Sequence, residues 1–139
     1  MSRALRALLL GLGLLPWVLG LLALRHPAWV AAFRGLCHQR PERSLWLRGA
    51  PMVVCSRCAG LYLGVALGAL LPLPSRWLAH GRSLLLWALL VTALEVLAQD
   101  SGLHAPWHPS RMGTGLLLGW VASGFMTASL RAREALPPA

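Results

Sequence analysis

Three cysteines and one histidine are the residues of this sequence best suited to chemistry. Cys37 and His38 are adjacent, and Cys55 and Cys58 form a Cys-x-x-Cys pair. Two thiolates on one turn can converge on a metal ion, and an irregular backbone at residues 37–38 would let both of those side chains join them. Zinc takes such ligands tetrahedrally, although thiolates also suit copper(I) or iron. The sequence therefore predicts a metal site, with zinc as the expected ion and Cys37, His38, Cys55 and Cys58 as its ligands.

The same Cys-x-x-Cys pair permits redox chemistry instead. A thiol beside arginines and a helix N-terminus has a lowered pKa and is reactive. The arrangement resembles quinone-coupled disulfide oxidases, but those enzymes use a second cysteine pair, and here only Cys37 remains. A membrane thiol–disulfide oxidoreductase is thus the first alternative, and buried thiols that only pack are the plainest one. The sequence leaves open whether the chain is an enzyme.

Arginines surround the cysteines. All 13 basic residues are arginine, against four acidic residues, which gives a net charge of +9. Six of the arginines fall within residues 25–57, and we expect Arg43 and Arg57 to bind an anion, since guanidinium groups hold phosphate and carboxylate bidentately. A small transporter or a module for anionic lipids or ligands is therefore the second alternative. In a membrane chain, excess positive charge reflects orientation and anionic lipid, so we expect no nucleic-acid partner.

The composition requires a lipid environment. Hydrophobic residues make up 57% of the 139 residues and charged residues 12%, with a mean hydropathy of +0.62. A soluble domain carries about 25% charged residues. Apolar runs predict an all-α integral membrane protein of one domain, in the cell membrane, with four transmembrane helices and a Cys/His/Arg-rich connection at 25–57. The expected spans are about residues 7–24, 53–73, 83–99 and 112–130, which place both termini on one side.

A cleaved signal peptide is the alternative interpretation of the first apolar run. It is longer than the 7–15-residue apolar core of such peptides, and no clear cleavage site follows it, so we favour a retained span. The arginines on the two sides of the predicted spans are almost equal in number. The positive-inside rule therefore leaves the orientation open, and the sequence does not set the oligomeric state.

Polar residues at the ends of the third and fourth predicted spans point to the same region. Glu95 lies within an apolar span, where a charge is costly and marks a functional site by default. Gln99 shares its helix face, and Arg111 opens the fourth span. We predict a Glu95–Arg111 pair near the cysteine ligands, with His104 and His108 as further possible ligands from the same connection.

Glycines recur every four residues in two of the predicted spans. This spacing lets helix backbones approach closely in lipid. We expect tight packing within the chain rather than a dimer interface. The glycines concerned are Gly60, Gly64 and Gly68 in the second span and Gly115 and Gly119 in the fourth.

The segments CHQRPERS, CSRCAGLYLG and RMGTG, with an acidic third span, resemble the DUF2085 family of small prokaryotic membrane proteins. The resemblance runs from about Leu36 to Gly119. That family tends to have Asp where Glu95 stands, and it implies no established activity. The residues that match its pattern are Cys37, His38, Gln39, Pro41, Arg43, Ser44, Cys55, Arg57, Cys58, Gly60, Tyr62, Gly64, Arg111, Thr114 and Gly115.

Overall fold

The structure, a computed structural model, describes residues 3–22, 24 and 26–134, and these form six α-helices, one 3-10 helix and one short hairpin. The elements, in chain order, are α1 (Arg3–Leu21), α2 (Pro27–Arg34), a 3-10 helix (Pro41–Arg43), β1 (Trp46–Leu47), β2 (Ala50–Pro51), α3 (Ser56–Leu70), α4 (Ser75–Leu78), α5 (Gly81–Asp100) and α6 (His108–Glu134). The predicted helical character is confirmed. The prediction of an all-α chain omitted the hairpin.

Three helices are long and apolar enough to cross a membrane. They are α1 with 19 residues, α5 with 20 and a 24-residue stretch of α6. The fourth apolar helix, α3, has only 15 residues and is about 22 Å long at 1.5 Å per residue. That length is short of the ~30 Å hydrocarbon core of a bilayer. The prediction of four spans is therefore not confirmed as it stands.

Helix α3 is shorter than the span predicted at residues 53–73 because both of its ends are fixed by other interactions. At the start, the Met52 N–H bonds the Leu45 carbonyl at 2.8 Å and extends the hairpin, so the chain first turns helical at Ser56. At the end, Leu71 leaves helical geometry before Pro72, as the residue before a proline tends to do. The cysteine pair consequently straddles the first turn instead of lying inside a longer helix.

The hairpin pairs Trp46 with Pro51 and Leu47 with Ala50. Its two turn residues both have positive φ, +50° at Arg48 and +78° at Gly49, as two-residue hairpin turns of the I′ kind require. The Arg48 guanidinium then donates to the Leu21 carbonyl at 3.2 Å. This contact fastens the hairpin to the end of α1.

Helix α3 lies at the centre of the bundle, between α1 and α6. It runs antiparallel to α1, since the Trp17 indole donates to the Ala59 carbonyl at 3.0 Å while Gly13 meets Tyr62 one turn further on. It runs parallel to α6, and α5, which precedes α6 in the chain, packs against α6 in the opposite direction. The starts of α3 and α6 and the end of α5 therefore meet at one end of the bundle.

Glycines form the contact between α3 and α6. A Cβ added at Gly60 would collide with the Met112 carbonyl oxygen, and one added at Gly115 would collide with the Arg57 carbonyl oxygen. Gly64 and Gly119 meet the Leu116 and Leu61 carbonyl oxygens in the same way, whereas a Cβ added at Gly68 would collide with the Ser123 hydroxyl. The two backbones are thus in direct contact, as small residues four apart permit in lipid.

Helix α5 has the opposite character and leaves most of its surface exposed. Only 11% of the residues in its most apolar stretch are buried inside the structure. The exposed side chains include Leu86, Trp87, Leu90, Leu94 and Leu97. A helix that is apolar on its outer surface is suited to face lipid.

We expect Gly115→Ala to lower the free energy of unfolding by about 2 kcal/mol, because the new methyl group must push α3 and α6 apart. Gly113→Ala is the matched control, since Gly113 lies two residues away and no atom lies within 4 Å of the point that a Cβ would occupy there. We expect the control to be neutral or slightly stabilising. Thermal unfolding followed by circular dichroism in an uncharged detergent measures both, and equal effects would contradict the packing.

Candidate metal centre

Cys37 is held in place by the end of α2. Its N–H bonds the Phe33 carbonyl at 2.9 Å, and its side chain is 4% exposed. Phe33 is itself buried and packs edge-on against Tyr62 of α3, with ring centroids 5.7 Å apart. The connection after α1 therefore folds back over α3 and carries Cys37 with it.

The other two cysteines frame the start of α3. Cys55 is the N-cap residue, and its N–H donates to the Cys37 sulfur at 3.1 Å. Cys58 lies in the first turn. All three Sγ atoms lie within 4.8 Å of one another. Tetrahedral zinc with ~2.3 Å bonds sets its sulfur ligands about 3.8 Å apart, so the cluster needs only a small contraction to hold an ion.

The predicted histidine ligands are outside this cluster. Among the described residues, the group of possible ligands consists of the three cysteines alone. His38 is exposed while its neighbour Cys37 is buried, because adjacent residues point in different directions, although His38 lines the cavity beside the cysteines. His104 is exposed, with its ring near the Ala105 carbonyl, and His108 begins α6.

Hydrogen bonding within the cluster favours one thiolate shared by three sulfurs. Bonds from the Cys37 and Cys58 thiols strongly lower the pKa of Cys55, and the positive charge of Arg111 acts in the same direction. The bond to Cys55 raises the pKa of Cys37, which keeps its proton to donate it. The cluster thus carries negative charge suited to a soft cation.

Gln39 fixes the distance between the two halves of the cluster. Its backbone has a φ of +52°, which is uncommon for a residue other than glycine. Its side-chain amide donates to the Val30 carbonyl at 2.7 Å and to the Val53 carbonyl at 3.0 Å. One side chain therefore joins α2 to the segment that precedes Cys55.

Two buried serines hold the 3-10 helix against the start of α3. The Ser44 hydroxyl donates to the Arg40 carbonyl at 2.9 Å, and the Ser56 hydroxyl donates to the Arg43 carbonyl at 3.1 Å. Ser44 is 1% exposed and Ser56 is fully buried. These bonds direct Arg40 and Arg43 towards the cysteines.

A polar network lies beside the cluster, and its pairing differs from the sequence prediction. Glu95 forms an ion pair with Arg57 instead of Arg111. It also accepts from the Gln99 amide and, at 3.0 Å, from the Ser110 hydroxyl. The Arg111 guanidinium donates to the Gln99 amide oxygen. The predicted Glu95–Arg111 pair is wrong because Arg57 approaches the carboxylate from α3, while Gln99 lies between Glu95 and Arg111.

The cysteines and arginines line one cavity of about 500 Å³. Its walls include the three cysteines and His38, and its guanidinium groups come from Arg40, Arg43, Arg57 and Arg111. Arg43 is paired with Asp100 at 3.2 Å. The structure therefore brings together the predicted thiol ligands and the predicted anion-binding arginines, while Glu95 and Gln99 support two of those arginines from behind.

Sequence reasoning missed three residues of this site. Ser110 contacts Glu95, and Asp100 contacts Arg43. Ser56 holds the 3-10 helix through its bond to the Arg43 carbonyl. The position of Asp100 at the end of the third predicted span, level with Glu95 and Gln99, was an available signal. Serines at the first turns of two helices carry no comparable signal, because their partners are set only by the tertiary contacts.

Comparisons with known proteins identify a family, and the proteins that match are described without an activity. Residues 37–125 match the profile of a family described as predicted membrane protein (DUF2085). An uncharacterized protein of Methanocaldococcus jannaschii is 31% identical over 100 residues, which cover 65% of this chain and 60% of that protein. An uncharacterized protein of Methanothermobacter thermautotrophicus is 37% identical over 90 residues, 63% of this chain and 80% of that protein. No solved structure matches.

Removing the carboxylate at position 95 should destabilise the fold. We expect Glu95→Ala to cost about 3 kcal/mol, because it leaves the Arg57 guanidinium largely buried without its counter-charge. Glu95→Asp keeps the charge and should lose less. Glu42→Ala, an exposed carboxylate in the same chain, should change stability by less than about 0.5 kcal/mol. Denaturant unfolding in micelles ranks the three variants, and a Glu95→Ala protein as stable as the parent would refute the assignment.

Removing the Gln39 amide should loosen the cysteine cluster. Gln39→Ala deletes two hydrogen bonds at about 1 kcal/mol each, and it frees residues 37–39 from the segment before α3. We expect Cys37, which is buried in the parent, to react at least tenfold faster with a thiol reagent. Glu42→Ala serves again as the nearby control. Unchanged labelling of Cys37 in Gln39→Ala would show that the amide does not set the cluster.

Proposed function

The chain belongs to the DUF2085 family of predicted membrane proteins, and we propose that it is a multi-pass membrane protein that binds one zinc ion at the membrane surface. Its thiolate ligands are Cys37, Cys55 and Cys58. The observation that carries this proposal is the grouping of all three sulfurs within 4.8 Å, with Cys37 from the segment after α2 and Cys55 and Cys58 from the start of α3. None of the three is in a disulfide.

The chemistry of the cluster suits such an ion. Thiolates are the preferred ligands of zinc and of other soft cations, and Cys3His is a common structural set. His38 follows Cys37 directly, is exposed, and borders the same cavity as the sulfurs. We propose it as the fourth ligand, reached by rotation of its side chain towards the cluster.

We propose four membrane spans, with α3 as the fourth, and the direction of the helices supports this number. Helix α3 begins where α5 ends and ends where α5 begins, since Glu95 meets Arg57 while Leu73 and Gly81 both pack against the later part of α6. It therefore runs alongside α5 in the opposite direction, and residues 71–73 add to its length. Because α1 is antiparallel to α3, the start of α1 and the end of α6 lie on the same side of the bundle. Arg6 and Arg131 line one cavity there.

A thiol–disulfide oxidoreductase is the alternative that the same sulfurs favour. The lowered pKa of Cys55 would make it the attacking thiolate, with a second thiol within 4.8 Å. Such an enzyme needs an oxidised or reduced partner to exchange with. The two functions differ in what the purified protein contains, so one preparation separates them.

Elemental analysis of the protein, purified in an uncharged detergent without chelators, tests the zinc proposal. We expect about one zinc per chain, and loss of the metal in Cys37→Ser and in Cys55→Ser. His38→Ala should weaken zinc binding at least tenfold, since even the loss of an outer-shell partner of a metal ligand typically costs about 10–100-fold in affinity. His104→Ala is its control, because His104 is an exposed loop histidine outside the cluster.

Two results would overturn the proposal in different ways. Metal-free protein with a reversible Cys55–Cys58 disulfide, detected by mass spectrometry, would favour the oxidoreductase. Metal-free protein with three unreactive thiols would leave only packing. Full zinc binding by His38→Ala would retain the three-cysteine centre and remove His38 from it.

A further inference from the structure

Beyond the metal, we propose that the cavity beside the cysteines binds a phosphate group, with Arg111 as its buried anchor and Arg40 at its exposed rim. Arg111 is 2% exposed and lines the cavity. Its side chain donates through one terminal nitrogen to the neutral amide of Gln99, and its Nε has no partner in the described part of the chain. Within the described residues no carboxylate pairs with this buried guanidinium. A buried guanidinium that lacks a carboxylate partner costs several kcal/mol, so this side chain is placed for a charged ligand.

The carboxylates nearby are already used by other arginines. Glu95 pairs with Arg57, and Asp100 pairs with Arg43. Within the residues that the structure describes, no carboxylate pairs with Arg40 or Arg111. The cavity thus has four guanidinium groups in its wall against two carboxylates, Asp100 in the wall and Glu95 behind it. That balance leaves it positively charged.

The size and shape of the cavity suit a phosphate ester. A volume of about 500 Å³ falls within the range of ligand pockets and exceeds what one phosphate group fills. Guanidinium forks at the depth and at the rim can each form paired bonds to phosphate oxygens. The side chains of Leu36 and Val96 form an apolar part of the wall, which can accommodate the carbon-bearing remainder of the molecule.

The phosphate can come from two sources. The cavity lies at the end of the bundle where α3 and α6 begin, so a lipid headgroup can enter from the bilayer and a soluble phosphate from water. The recognition chemistry is the same for both. The site does not depend on the proposed zinc ion, because Arg43, Arg57 and Arg111 are held by Asp100, Glu95 and Gln99, none of which is a proposed metal ligand.

Binding measurements on the detergent-purified full chain test the site with two probes. Inorganic phosphate is titrated by calorimetry, and vesicles of phosphatidylcholine with or without phosphatidic acid are used in a flotation assay. We expect binding of at least one probe, weakened at least tenfold by Arg111→Gln. Arg40→Gln, an exposed change that leaves the fold intact, should weaken it about threefold or more. Arg82→Gln, an exposed arginine at the opposite end of the bundle, should have no effect.

Each outcome decides. Binding of inorganic phosphate assigns a soluble source, whereas binding of phosphatidic acid vesicles alone assigns a lipid source. If neither probe binds, or if Arg40→Gln and Arg111→Gln bind both probes like the parent, the proposal is overturned. Cys55→Ser, tested alongside, should lose zinc and retain phosphate binding. If Arg111→Gln loses zinc but leaves phosphate binding unchanged, Arg111 is the counter-ion of the cysteine cluster and the proposal also fails.

Discussion

Direct contact between the backbones of α3 and α6 is the constraint on which the site depends. Because glycines replace side chains along this seam, the first turns of both helices lie side by side, with Gly115 against the Arg57 carbonyl. Arg57 and Arg111 are thereby brought to the same end of the bundle, where the end of α5 supplies Glu95 and Gln99. A wider helix spacing would separate the guanidinium groups from these partners and open the polar network to lipid.

The connection before α3 converts that helix end into a site. It contributes most of a small buried apolar cluster that Leu19 of α1 and Ala59 of α3 complete. Its members from the connection are Phe33, Cys37, Met52, Val53 and Val54. Gln39 supplies the polar link across this cluster, and its unusual φ is maintained by its hydrogen bonds to the Val30 and Val53 carbonyls. Loop, helix start and thiols therefore form one unit, in which moving Cys37 away from Cys55 also breaks the packing beneath them.

The sequence was informative where a residue type is costly in its surroundings. Cysteines at 37, 55 and 58, a carboxylate at 95 and arginines in an apolar chain all identified this region, since few roles offset their placement near lipid. Pairing was less predictable. Spacing along α5 and α6 suggested Arg111 for Glu95, and only the approach of α3 made Arg57 the partner. The start of α3 was also missed, because the hairpin that delays it depends on positive φ at Arg48 and Gly49, and Arg48 gives no local signal for that.

The sulfurs are suited to a cation and the arginines to an anion. The charge of the cysteine cluster explains how both ligands can share one cavity. Without metal, hydrogen bonding lowers the pKa of Cys55 and raises that of Cys37, which favours a single thiolate and hence one negative charge on the cluster. A zinc ion bound by three thiolates would also present one negative charge, since two protons leave as the dication enters. The potential that the arginines experience is therefore similar in both states. An anion held by Arg111 would gain no additional repulsion from metal binding, which is why the two sites can coexist a few side chains apart.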